Sequence, residues 1–130
     1  MKAVIDCNVL VAAARIDGVC RKVIDEAARH HEIILSDSIV EEYEAVAERP
    51  KHAHYRDILR ANIRELERVA IVVEPADAAF GLRDPDDEMY LATAMAGGAV
   101  LITGNKRDFT KPRYGPVEVL SPRAFLDRVA

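Results

Sequence analysis

The chain has 130 residues, half of them apolar and 31% charged, with 22 acidic against 18 basic side chains and a formal charge of -4. That length holds one core and does not divide comfortably into two, so a single domain over residues 1–130 is expected. The acidic balance excludes a polycation that coats nucleic acid by bulk attraction; any contact with RNA or DNA must be local.

The two cysteines, Cys7 and Cys20, form no CxxC or metal-finger spacing and read as small apolar residues in a reducing, cytoplasmic setting. The longest uninterrupted apolar run, Val9 to Ala14, is far short of the roughly 20 residues that cross a bilayer. No secretory signal precedes it.

In chain order, the first expected strand is AVI at residues 3–5, and Asp6 follows it inside the apolar stretch AVIDCNVLVAA. A buried carboxylate without a partner costs several kcal/mol or gives up its charge, so Asp6 either ends a strand or does chemistry. Cys7, next in the chain, is expected to face the other side of the sheet. Helical spacing then covers about 18–30, IIL forms a strand at 33–35, and helices follow at 37–48 and 53–68. VAIVV at 69–73 is the third strand, a helix runs over 85–97, AVLIT at 99–103 and VEVL at 117–120 are strands, and a helix closes the chain at 122–129. GG at 97–98 reads as a helix C-cap. Strands spaced by helices imply βαβ units and an α/β three-layer sandwich, with a mostly parallel central sheet of about five strands flanked by helices.

In such sheets chemistry gathers at the carboxyl ends of the strands. Asp6 follows the first strand, SDSIVEEY opens the helix after the second, and TGNKRDF, with Asn105 and Asp108, follows the fourth. In SDSIVEEYEAVAE the inward stripe is Ile39, Tyr43 and Val46, and Glu42 borders it while Glu41, Glu44 and Glu48 point outward. Ser38 and Glu41 have capping-box spacing. In RDPDDEMYLATAM, Pro85 suits the first helical position and Asp84 the N-cap, so Asp87 shares a face with Leu91, Ala94 and Met95. Asp86 and Glu88 are expected outside. Asp6, Glu42 and Asp87 would then converge, and three carboxylates in one crevice need a cation. Oxygen ligands without His or Cys suit Mg²⁺ or Mn²⁺. Asn8 and Asn105 could orient ligands or water, and Asp108 could complete a water shell. The chemistry this points to is phosphodiester hydrolysis.

VIDCNVLVAA, LSDSIVEEY, RDPDDEMYLATAMAGGAVLITGNKRDF and VLSPRAFLD, in that order along nearly the whole chain, resemble the PIN-domain family and its toxin branch, the VapC-like ribonucleases. The resemblance implies that Asp6, Glu42 and Asp87 are the metal-binding acids and that Asp108 is a further catalytic acid. Asn105 falls where many relatives have aspartate, which leaves one ion, or a second recruited with substrate, as the alternatives. It also implies Mg²⁺ or Mn²⁺ dependence, single-stranded RNA as substrate, homodimers and an antitoxin partner.

Arg56, Arg60, Arg64 and Arg68 recur every four residues, a ridge that could touch phosphates or pair with Asp57, Glu65 and Glu67. Arg49, Lys51, Lys106, Arg107, Lys111 and Arg113 sit on expected loops and could form a basic rim. His52 and His54 in KHAHY read as surface residues whose rings point apart. Two rival readings stay open: a receiver-like phosphoryl-transfer domain, and a PIN-like RNA-binding or partner-docking module without activity.

Overall fold

The computed structural model describes residues 1–16 and 18–130. The order is β1 (Lys2–Ile5), α1 (Cys7–Arg15), α2 (Val19–His30), β2 (Glu32–Leu35), α3 (Asp37–Glu48), α4 (Arg56–Val69), β3 (Ile71–Val72), α5 (Glu88–Gly97), β4 (Val100–Ile102), β5 (Arg113–Tyr114), β6 (Val117–Leu120) and α6 (Pro122–Val129). Short 3-10 turns, Pro50–Tyr55 and Pro85–Asp87, lead into α4 and α5.

The sheet has six strands in the order β3-β2-β1-β4-β6-β5, all pairs parallel except β5 with β6. The first three strands step outward one way; the chain then returns through α5 to place β4 on the other side of β1. Right-handed crossovers running in opposite directions put their helices on opposite faces of the sheet. Accordingly α5 packs on β1, β2 and β4, whereas α1, α2 and α4 pack on one another and α2 and α4 cover β2. The reversal lies between β1 and β4, the place where open parallel sheets leave a crevice.

The central strands read as buried runs: Ala3, Val4, Ile5, Ile33, Ile34, Leu35, Leu101 and Ile102 are all sealed. The apolar run Val9 to Ala14, for which the pattern named no element, is helical. Its buried members Val9, Leu10, Ala13 and Ala14 recur at helical spacing against α2 and α4. Cys7 is therefore the first residue of a helix and not a strand residue facing away from Asp6. The expected 53–68 helix is split into a 3-10 turn and α4, because Pro50 starts the segment early. That turn buries His52 against Tyr55, whose hydroxyl meets its Nδ1, so His52 is a core residue; His54 is exposed. β5 is a two-residue antiparallel addition that no apolar run announces.

Two glycines are required by geometry. Gly98 ends α5 in the left-handed region (φ 62°), its N–H reaching Ala94 and Met95 carbonyls, the C-cap expected of GG. A Cβ on Gly97 would stand 2.5 Å from Cγ2 of Ile34, so only hydrogen lets α5 sit on β2 this closely. Among the described residues no helix is long and apolar enough to cross a membrane.

Candidate functional site

The register pairs Ile5 with Ile102, which sets the next residues, Asp6 and Thr103, side by side at the switch point. Asp6 N–H continues the ladder to the Ile102 carbonyl (3.0 Å), and Thr103 N–H to that of Leu120 (3.0 Å). Asp6 is 3% exposed. It occupies the N-cap position of α1 but makes no side-chain cap bond; instead its Oδ2 accepts a hydrogen bond from the Thr103 hydroxyl at 2.7 Å. Burial raises its carboxyl above the ordinary range, while Thr103, Cys7 and the amides of Asn8 and Cys7 pull the other way.

The peptide groups on both sides of Asp6 are held by tyrosines from other helices. Tyr43 of α3 donates its hydroxyl to the Ile5 carbonyl, and the hydroxyl of Tyr90 of α5 accepts from Cys7 N–H at 3.3 Å. Both rings are buried. Burial, then the nearby Asp6, pushes the Cys7 thiol up to about 12, so it stays protonated.

Among the described residues, Asp84, Asp87 and Asp108 each bring one carboxylate oxygen within 4.8 Å of the others. Asp84 is the N-cap expected from the sequence, accepting from Asp86 N–H at 3.0 Å. Its place in the acid cluster was not foreseen, although spacing of three residues with Asp87 across a helix start carries that signal. Asp87 is half-buried on the face shared with Leu91, Ala94 and Met95. Its Oδ2 is shut off from solvent and has no hydrogen-bond partner. Burial first, and then the charge of Asp6, with Asp108 and Asp84 adding, lifts Asp87 to about 7.

Asp108 is pinned oppositely. Asn105 Nδ2 donates to its Oδ2 at 2.8 Å, Asp108 N–H returns a bond to Asn105 Oδ1 at 3.2 Å, and Arg83 Nε lies 3.6 Å from Oδ1. These partners, Asn105 foremost, hold its carboxyl below the usual carboxylate range. Asn105 N–H in turn donates to Thr103 Oγ1 (2.9 Å), and Gly104 N–H reaches Asn8 Oδ1 at 3.4 Å. The loop after β4 is thus tied to Asp6 through Thr103 and carries Asp108 to within 4.8 Å of Asp87.

Glu42 stands on α3 at the border of the core, as the stripe Ile39, Tyr43 and Val46 implied. It lies outside the close cluster and lines a neighbouring cleft of about 380 Å³ with Ser38, Glu41, Ala45, Asp86 and Met89. Burial raises its carboxyl, Arg49 at 3.8 Å lowers it, and Asp86, Asp6 and Asp84 raise it further. The charge of Asp6 acts on both Glu42 and Asp87, although Asp6 and Glu42 stand outside the close cluster.

Two expectations fail on geometry. Ser38 and Glu41 do not form a capping box, because the N-cap of α3 is Ser36, two residues earlier. The buried Ser36 hydroxyl pairs instead with that of Thr93 at 2.8 Å. Glu88 is not turned out to solvent: its two oxygens accept from Phe80 N–H (2.9 Å) and Leu82 N–H (3.0 Å), folding the preceding loop against α5. Of the arginine ridge, Arg56 donates to the carbonyls of Ala47, Glu48 and Arg49 at the end of α3, and Arg60 pairs with Glu48. Arg64, Lys106 and Arg107 are exposed.

A PIN domain family model matches residues 2–107. This chain belongs to the PIN domain family. Three solved structures share the PIN fold over nearly their whole length. A DNA-bound VapBC from Salmonella typhimurium is 18% identical, with a TM-score of 0.67 and coverage of 94% of this chain and 98% of that one. VapBC2 from Rickettsia felis, bound to a DNA fragment from its promoter, is 14% identical, with a TM-score of 0.64 and coverage of 93% and 98%. VapBC-1 from nontypeable Haemophilus influenzae is 18% identical, with a TM-score of 0.63 and coverage of 95% and 99%. No curated protein matches the sequence.

Proposed function

We propose that this PIN domain is a metal-dependent endoribonuclease that hydrolyses phosphodiester bonds of single-stranded RNA, acting as the toxin of a toxin–antitoxin pair. The observation that carries the reading is Asp87, whose sealed oxygen has no donor although two further carboxylates lie beside it. Buried acceptors are ordinarily given a donor, and like charges are ordinarily kept apart. A divalent cation answers both objections, and an all-oxygen donor set favours Mg²⁺ or Mn²⁺ over zinc.

Asp87 would hold the ion with Asp84 and Asp108, whose oxygens lie within 4.8 Å of its own, and the resemblance adds Asp6 and Glu42, which stand outside that close set. When bound, such an ion supplies an activated water and neutralises charge on the phosphoryl group. The protein's own groups prepare the place. Thr103 fixes the orientation of the Asp6 carboxylate, and Asn105 keeps Asp108 ionised and able to order water by accepting its hydrogens. Asn105 brings no charge of its own and spends its amide on Asp108, which supports a single resident ion. Lys106 and Arg107, on the loop beside Asp108, are available to the RNA backbone.

The three structures of this fold are VapBC assemblies, which supports an antitoxin as partner here. A homodimer in the cytoplasm completes the proposal; exposed Ile71 and Val72 on the edge strand β3 offer apolar surface for it.

The test is incubation with single-stranded RNA in Mn²⁺, Mg²⁺ or EDTA, followed by sequencing of the fragments. Cutting is expected only with metal and is lost in Asp6→Asn and Asp87→Asn. If Asp6→Asn cuts as well as the parent, the mechanism is wrong. Tight RNA binding without fragments under any metal would favour the inactive binding module.

A further inference from the structure

Next to the acid cluster, sharing Asp108 as a wall, lies a cleft of about 270 Å³ lined by Phe80, Arg83, Arg107, Lys111 and Tyr114. It brings three cations and two aromatic rings together on a chain whose formal charge is -4. Arg83, Arg107 and Lys111 are exposed, and Phe80 is half-buried. Lys111 Nζ sits 5.8 Å from the centre of the Tyr114 ring. Arg83 leans toward Asp108 and leaves 68% of its side chain accessible.

Both walls are loops, and each is held by one side chain. On one, Glu88 grips the amides of Phe80 and Leu82. On the other, the Tyr114 hydroxyl accepts from Thr110 N–H (2.9 Å) and Lys111 N–H (3.2 Å). Loops are ordinarily the mobile part of a fold, so side chains that restrain two facing loops leave a pre-organised gap between them.

We propose that this cleft is a nucleotide subsite: Arg83, Arg107 and Lys111 receive a backbone phosphate of single-stranded RNA, and Phe80 receives the adjoining base, one nucleotide away from the bond being cut. The assignment rests on the ribonuclease reading. Cations alone would suit any anion, an acidic peptide included. A ring beside the cations suits a ligand that carries a flat face with each charge, which is the make-up of a nucleotide chain. Continuity with Asp108 means that a strand lying in the cleft leads its next phosphate toward the acids.

Binding is measured by fluorescence anisotropy of a short labelled single-stranded RNA, with Ca²⁺ replacing the active metal. The double variant Arg83→Ala/Lys111→Ala is expected to weaken binding about tenfold or more and to flatten the logarithmic salt dependence by about 0.7 for each cation removed. Phe80→Leu keeps apolar bulk but removes the ring, and is expected to weaken binding about fivefold. Arg29→Ala, on α2 at a distance from the acids, serves as control and is expected to bind as the parent does. Equal affinity and salt slope in the double variant and the control would overturn the subsite, as would a parent that ignores RNA and binds a polyglutamate peptide. Cleavage in Mn²⁺ separates the two readings. A parent that cuts, with KM unchanged in the double variant, loses the subsite and keeps the nuclease. A parent that binds through these residues but never cuts keeps a nucleotide-binding cleft and loses the nuclease.

Discussion

Thr103 donates its hydroxyl to Asp6 at 2.7 Å, joining residues 97 positions apart that stand as neighbours only because β1 and β4 pair in parallel. Replacing this donor by Thr103→Val leaves a buried carboxylate short of a bond, which costs roughly 1 to 3 kcal/mol. Thr103→Ser restores the hydroxyl and most of the stability. Chemical denaturation of the three proteins checks the order parent, Ser, Val.

Asp87 repays removal in the metal-free protein. Its carboxyl is lifted to about 7 by burial and by Asp6, so at higher pH the fold carries an unfavourable charge there. Asp87→Asn is expected to melt above the parent at pH 8 in EDTA and to lose the stabilisation that Mn²⁺ confers on the parent. Thermal denaturation with and without Mn²⁺ reads both effects.

The pH dependence follows from the same shift. A carboxyl raised from 3.8 to about 7 on folding contributes its stability below pH 3.8 and loses it as pH climbs to about 7. Asp6 and Glu42, raised mainly by burial, act in the same direction. His52, lowered mainly by burial, acts oppositely, losing stability as pH falls below 6.5. Asp108 is lowered, so its contribution disappears only below 3.8. The difference in stability between parent and Asp87→Asn cancels groups that do not touch Asp87, such as His52, and should grow in favour of the variant from pH 4 to 7. A difference that does not change with pH would refute the account of Asp87.

Arg56 belongs to the end of α3. Its guanidinium serves three carbonyls that the helix leaves open, so Arg56→Ala should cost roughly 1 to 2 kcal/mol of stability. RNA affinity per folded molecule and its salt slope should stay at the parent values. Denaturation and anisotropy together check the split.

Gly97→Ala tests how closely α5 sits on β2. Alanine favours helix, yet its Cβ would press on Ile34 at 2.5 Å, and the net effect should be a loss of roughly 1 to 3 kcal/mol. Ile34→Ala removes both γ-carbons that the new Cβ meets, so the two substitutions together should cost less than the sum of their separate costs.

The alternation of β-branched runs with helical spacing made the layered sheet legible, and the stripe beside Glu42 and the face of Asp87 were readable from period alone. What escaped was decided by partners distant in the chain. α1 was hidden because a continuous apolar run carries no period to separate helix from strand. Thr103 looked like one more strand residue, since alternation is silent about which hydroxyl meets a carboxylate. Asp84 was read correctly as a cap, but a cap that also joins an acid cluster has two roles and only one local signature. Glu88 looked exposed because the helical wheel does not know of a loop folding back upon it. The even spacing of four arginines left phosphate contact and pairing with neighbouring acids as alternatives, and neither described Arg56, which the preceding helix end claims.

Tyr43 and Tyr90 anchor α3 and α5 to the main chain on either side of Asp6. Because each tether originates next to, or one turn from, an acid on its own helix, the three sources of negative charge are fastened to a common hub. Their separations are then inherited from hydroxyl-to-backbone links, independent of whichever cation sits among them. Local opening of any one segment should accordingly drag the others, so the amides of Cys7 and Tyr90 are expected to exchange with deuterium at a shared rate.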